Sequence, residues 1–90
     1  MTGRQVYYEG RVQGVGFRYT VRAIAKGFDV LGWVKNLPDG RVELQVSGAP
    51  DEVSDFLAAV RESELNSYIK AAHENVIPPV VDAKGFEIRF

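Results

Sequence analysis

Alternating hydrophobic and polar residues predict strands at the start, in the middle and at the end of the chain. The first strand covers about residues 4–13 and places Val6, Tyr8, Gly10 and Val12 on the face that should contact the core. Two later segments have the same period of two. The residues expected to face inward in the third strand are Val42, Leu44 and Val46. In the last strand, which is expected to run to the terminus, Phe86, Ile88 and Phe90 alternate with Glu87 and Arg89.

Hydrophobic residues three and four positions apart predict two helices. Helix one covers about residues 17 to 27 or 28. Helix two begins with Pro50 in its first turn, followed by Asp51 and Glu52, which suit the positive end of the helix dipole. Its apolar face consists of Val53, Phe56, Leu57 and Val60.

The remaining segments complete a βαββαβ order with one additional terminal strand. A second strand is predicted over about residues 30–37, and the Pro, Asp and Gly at 38–40 favour a tight turn into the third strand. Residues 62–68 read as a polar connection, followed by a less regular strand at about 68–77. This order predicts an α+β fold, a ferredoxin-like sandwich with two helices on one face of an antiparallel sheet of four to five strands.

Composition narrows the possible functions of this single domain, residues 1–90. With 46% hydrophobic and 26% charged residues, no long apolar run and no signal peptide, we expect a water-soluble cytoplasmic protein. The chain has no cysteine, and one histidine, His73, cannot form a metal site or a catalytic triad alone. A formal net charge of −1 argues against general nucleic-acid binding.

The stretch 10–18 combines the features of an anion site. Gly14 and Gly16 end the first strand and permit a turn with positive φ, and helix one follows directly. Backbone N–H groups in such a turn can bind a phosphate or carboxylate. Arg18 and Arg22 lie near the helix start, where the dipole favours acidic residues, so a bound anion would relieve the repulsion. Arg22 and Lys26 are expected to face water, and Arg18 to bind the anion.

The expected topology brings Asn36 to the same place. A β-α-β crossover makes strands one and two parallel, so the 13–18 loop and residues 35–37 lie at one edge of the sheet. With strand three between them, the two strands are about 10 Å apart. Asn36 can therefore direct its amide toward an anion in the loop, or it can simply initiate the turn at Pro38.

The sequence resembles the acylphosphatase family in two signature blocks and at its C-terminus. The first block is 10–18 (GRVQGVGFR), and the second is 32–36 (GWVKN) followed by 38–43 (PDGRVE). The chain ends with 85–90 (GFEIRF), so the resemblance covers essentially the whole chain.

The resemblance implies a small enzyme that hydrolyses the carboxyl-phosphate bond of acyl phosphates without metal or cofactor. The motif arginine falls on Arg18 and the motif asparagine on Asn36, the expected catalytic residues. The resemblance also implies that Arg18 and the loop amides hold the phosphoryl group while Asn36 orients the attacking water. The amides belong to Gly14, Val15, Gly16, Phe17 and Arg18. The expected ligands are an acyl phosphate and inorganic phosphate, with no membrane or nucleic-acid partner, and the expected state is a monomer.

One departure and two alternatives accompany this interpretation. The family commonly has Leu-Gly-Leu between helix one and strand two, where this chain has Phe28-Asp29-Val30, so Asp29 is expected to take a left-handed conformation.

A non-catalytic small-ligand or protein-interaction domain, including one from a larger acyl-transfer maturation factor, would share the fold. An RNA-recognition module would also share it, but its aromatic-glycine signature is missing from the third strand.

Overall fold

A computed structural model describes all 90 residues, Met1 to Phe90. It confirms the predicted order of elements. These are β1 (Thr2–Gly10), α1 (Phe17–Ala25), β2 (Val30–Asn36), β3 (Val42–Gly48), α2 (Pro50–Arg61), a 3₁₀ helix (Glu64–Tyr68), β4 (Ile69–Ile77) and β5 (Phe86–Arg89). No helix has both the length and the apolar content needed to cross a bilayer.

The five strands form one sheet in the order β4-β1-β3-β2-β5. Strand β3 pairs antiparallel with both β1 and β2, so β1 and β2 run parallel to each other, as the crossover predicts. The sheet is mixed, because β5 pairs parallel with β2. Residues 78–85 cross from the end of β4 to the far side of the sheet, so β5 starts at the end where β2 starts.

Both helices cover one face of the sheet and share one core with it. The inward residues predicted for β3 and for α2 are all buried, which confirms the two patterns. The core cluster comprises Val6, Tyr8, Val12, Phe17, Val21, Ala25, Val34, Val42, Leu44, Val46, Val53, Phe56, Leu57, Val60 and Leu65.

Strand β1 ends three residues before the predicted boundary. Gly10 has a φ of 130°, and a side chain there would collide with the Tyr68 carbonyl oxygen. The pairing with β4 shifts between Glu9 and Gly10, and the Arg11 N–H then donates to the same Tyr68 oxygen at 3.0 Å. The chain therefore leaves the sheet early, although Val12 is fully buried from a loop position.

Two connections differ from their predictions. The segment predicted as a polar connection contains the 3₁₀ helix, and its Leu65 is 1% exposed, so this segment also contributes to the core. Between α1 and β2, no residue other than glycine has a positive φ, so the left-handed conformation expected for Asp29 is wrong. Instead, the Asp29 N–H donates to the Glu52 carboxylate at 2.6 Å, which fixes this turn against α2.

Candidate active site

A cleft of about 100 Å³ lies where the loop after β1, the start of α1 and the end of β2 meet. It brings together the predicted site residues Gly14, Gly16, Phe17, Arg18 and Asn36, because β1 and β2 both end at this edge of the sheet. The side chain of Val15 packs against the core and does not line the cleft. The lining residues are Val12, Gly14, Gly16, Phe17, Arg18, Tyr19 and Asn36.

The loop supplies backbone donors without protein acceptors. Gly14 and Gly16 have φ values of 79° and 75°, the left-handed conformation predicted for this turn. Gly16 is the N-cap of α1 and provides no side-chain cap, and the first turn contains no acidic residue. The N–H groups of residues 14–18 have no acceptor within the protein. The start of α1 is therefore suited to an anion, because its unpaired donors lie at the positive end of the helix dipole.

Arg18 is half-buried beside this loop and is held by the C-terminal strand. Its Nη1 donates to the Arg89 carbonyl oxygen at 3.1 Å, and its guanidinium carbon lies 4.7 Å from the centre of the Phe90 ring. None of the ion pairs in the structure includes Arg18. The guanidinium is thus oriented by neutral groups and keeps its positive charge without a carboxylate partner.

Arg22 does not add to the repulsion at the helix start, which corrects the expectation from the sequence. Because α1 ends at Ala25, Arg22 lies in its last turn, where a positive charge suits the dipole. Its guanidinium carbon lies 5.5 Å from the centre of the Tyr19 ring. Arg18 is therefore the one arginine near the N-terminus of the helix.

Asn36 is the last residue of β2, and its side chain lines the cleft. Its Oδ1 atom is buried and has no hydrogen-bond partner in the protein. A buried acceptor without a partner costs about 1–3 kcal/mol, so its presence calls for an explanation. An amide oxygen accepts hydrogen bonds only, which makes Oδ1 suitable for binding the O–H of a water molecule or a ligand.

Gln13 connects the loop to the turn that follows Asn36, a contact that the sequence pattern does not predict. Its Nε2 donates to the carbonyl oxygens of Leu37 and Arg41 at 2.8 and 2.9 Å. The Leu37 N–H also donates to the Arg41 oxygen at 2.8 Å. Such side-chain contacts with a distant backbone leave no periodic signal, although the position of Gln13 in the first signature block draws attention to it.

Asp39 orders the same turn from the other side. Its carboxylate accepts from the Arg41 N–H at 3.1 Å and pairs with Arg41 Nε at 2.8 Å. The backbone N–H of Arg41 holds the pKa of Asp39 below its usual value, with further lowering from the Arg41 side chain. The turn is therefore well ordered at neutral pH.

Acidic residues and histidine lie outside the cleft. No group of three or more His, Cys, Asp or Glu side chains is close enough together to hold a metal ion. His73 lies on β4, and its Nε2 is 2.9 Å from the Glu9 carboxylate on an exposed part of the sheet. The only polar side chains lining the cleft are those of Arg18, Tyr19 and Asn36.

A ferredoxin-like α+β domain whose loop after β1 has backbone N–H groups without acceptors is the class that the fold and cleft define. The acylphosphatase family model matches residues 4–88, and the chain belongs to this family. An acylphosphatase of Archaeoglobus fulgidus is 36% identical over 89 residues, which cover 99% of this chain and 84% of that protein. The crystal structure of acylphosphatase from Bacillus subtilis has a TM-score of 0.88 at 33% identity and full coverage of both chains.

The same fold also occurs within a longer chain. The crystal structure of T. kodakarensis HypF matches with a TM-score of 0.84 at 28% identity, covering all of this chain but 12% of that one. A domain of this fold therefore also occurs as a small part of a much larger protein.

Proposed function

We propose that this protein hydrolyses acyl phosphates to a carboxylate and inorganic phosphate, with the cleft at the start of α1 as its active site. The observation that carries the proposal is that three kinds of binding group converge on one cleft. These are the N–H groups of residues 14–18, which have no acceptor in the protein, the Arg18 guanidinium, which has no carboxylate partner, and Asn36 Oδ1, which has no hydrogen-bond partner. Family membership supports the choice of acyl phosphates among possible anionic substrates.

Binding of the phosphoryl group uses the loop and Arg18. The N–H groups of Gly14, Val15, Gly16, Phe17 and Arg18 are fixed by the fold, so they stabilise charge on phosphoryl oxygens without reorganising. Arg18 adds a planar, permanently charged fork that matches phosphate geometry. Its contacts with Arg89 and Phe90 set the orientation of that fork before substrate arrives.

The chemical step requires an oriented water molecule more than it requires a strong acid or base. Asn36 Oδ1 accepts a hydrogen bond from the water, whose oxygen attacks phosphorus while the bond between phosphorus and the acyl oxygen breaks. The electron pair leaves with the carboxylate, a weak base that needs no general acid. No carboxylate or histidine lines the cleft, so a phosphoryl oxygen of the substrate receives the proton of the water.

The proposal includes expectations about the oligomeric state, the inhibitor, the cofactor requirement and the location of the protein. We expect residues 1–90 to act as one domain and a monomer, and inorganic phosphate to compete with substrate, since both fit the same loop. Activity without a metal or cofactor, and a cytoplasmic location, stay predictions. The alternative is a non-catalytic domain of this fold that binds a small ligand or a protein.

Hydrolysis of benzoyl phosphate by the purified protein tests the proposal directly. We expect turnover in the presence of EDTA and competitive inhibition by inorganic phosphate. Arg18→Ala, assayed in parallel, guards against a contaminating phosphatase. Absence of hydrolysis in a folded protein would favour the non-catalytic alternative, and activity lost to EDTA but restored by a divalent ion would contradict the mechanism.

A further inference from the structure

The phosphate-binding loop and the turn after Asn36 belong to different parts of the sheet. Strand β3 lies between β1 and β2, so the ends of β1 and β2 are separated by two strand spacings, about 10 Å. No backbone hydrogen bond joins residues 11–16 to residues 37–41. The two hydrogen bonds from Gln13 Nε2 are the polar connection between these segments.

We propose that Gln13 is a positioning residue that fixes Asn36 relative to the phosphate-binding loop, an inference that rests on the proposed function. The two carbonyl oxygens that accept from Gln13 lie close to Asn36 in the chain or across the strand pair. The Leu37 oxygen belongs to the next residue along the chain, and the Arg41 oxygen belongs to the residue before Val42, the cross-strand partner of Asn36. A shift of either carbonyl would therefore move the Asn36 backbone.

The side chain of Gln13 is suited to this task because both of its contacts are donations. A single NH₂ group offers two N–H bonds, which match the two carbonyl oxygens at 2.8 and 2.9 Å. Gln13 is absent from the cleft lining, so it acts on the reaction through Asn36. Misplacement of a reacting group by about 1 Å can cost about 10²-fold in rate.

The proposal separates turnover from phosphate binding. Gln13→Met removes both donors and keeps a side chain of similar length without charge. We expect kcat to fall between about 10-fold and 10²-fold. The inhibition constant of inorganic phosphate should change less than about twofold, because the loop donors and Arg18 are untouched. Gln45→Met is the matched control, since Gln45 donates to Glu43 on β3 and lies outside the cleft.

A double-mutant cycle with Asn36→Ala tests whether Gln13 affects kcat through Asn36. If Gln13 acts through Asn36, Gln13→Met should cause no further loss of kcat in the Asn36→Ala background. Gln13→Asn, which is one methylene too short, should behave like Gln13→Met and serves if the methionine variant folds poorly. Additive losses, a weakened phosphate affinity or an unchanged kcat would each overturn the proposal. A folded parent protein that is inactive on benzoyl phosphate would instead overturn the proposed function itself.

Discussion

Arg18 combines a contact that stabilises the fold with a position that suits anion binding. Arg18→Ala removes its hydrogen bond to Arg89 and its stacking on Phe90, worth about 0.5–1.5 and 0.5–1 kcal/mol. It also removes a positive charge near the positive end of α1, which returns about 0.3–1 kcal/mol. The two effects oppose each other, so the free energy of unfolding should fall by only about 1 kcal/mol.

The same substitution should abolish activity. We expect Arg18→Ala to lower kcat/KM by at least about 10³-fold, the scale of an arginine that stabilises a phosphoryl transition state. Arg18→Lys should not restore it, because a point charge cannot replace a bidentate fork. Steady-state kinetics and urea denaturation of the three proteins check both effects. A stability loss above about 3 kcal/mol, as for a broken buried ion pair, would make Arg18 a structural residue.

Asn36→Ala should lower activity without lowering the stability of the free protein. Asn36→Ala removes a buried oxygen that has no partner, so the free protein should be at least as stable as the parent. Its kcat should fall by about 10²-fold or more, while phosphate binds nearly as before. Asn75→Ala, on the exposed edge strand β4, is the control. Weaker phosphate binding with kcat intact would show that Asn36 binds substrate instead of orienting water.

The start of α1 depends on the left-handed conformation of Gly16, and the chain offers a matched control for it. Gly16 and Gly85 have φ values of 75° and 72°, and a Cβ at either position would meet nothing within 4 Å. Gly16→Ala and Gly85→Ala should therefore each cost about 1–2 kcal/mol of stability from backbone strain alone. Only Gly16→Ala should also weaken phosphate binding, since it alters the loop. Equal phosphate affinity in both variants would contradict the role of the loop.

Regular elements of this chain can be predicted because their signals are local. The alternation in β3 and the spacing of Val53, Phe56, Leu57 and Val60 in α2 identify both elements and their buried faces. Left-handed glycines at Gly14 and Gly16 were also predictable, because few other residues tolerate that conformation.

Such local patterns do not predict contacts between segments that are far apart along the chain. Arg18 and Arg89 are 71 positions apart, and Gln13 reaches backbone oxygens 24 and 28 positions away. Leu65 appeared as part of a polar connection, because one buried residue in a 3₁₀ helix has no period. The motif therefore indicated which residues line the cleft, while the groups that hold them could be identified only from the fold.

At the scale of the whole molecule, the candidate site lies where the parallel strands β1 and β2 end, on either side of β3. This arrangement brings Asn36 to the loop, and Arg89 at the end of β5 and the terminal Phe90 both contact Arg18. A second concave region lies between α2 and β4, with a volume of about 150 Å³, and includes Arg4, Arg61 and Glu74. Its two arginines make it a competing place for an anion, although Glu74 opposes binding there.

A titration of the ¹⁵N-labelled protein with inorganic phosphate, followed by amide NMR shifts, tests whether the loop after β1 binds phosphate. We expect the largest saturable changes at the N–H groups of residues 14–18, with the apparent affinity equal to the phosphate inhibition constant. The changes should be lost in Arg18→Ala. Saturable changes centred on Arg4 and Arg61 instead, or none near residues 14–18 at phosphate concentrations that inhibit hydrolysis, would contradict phosphate binding by this loop.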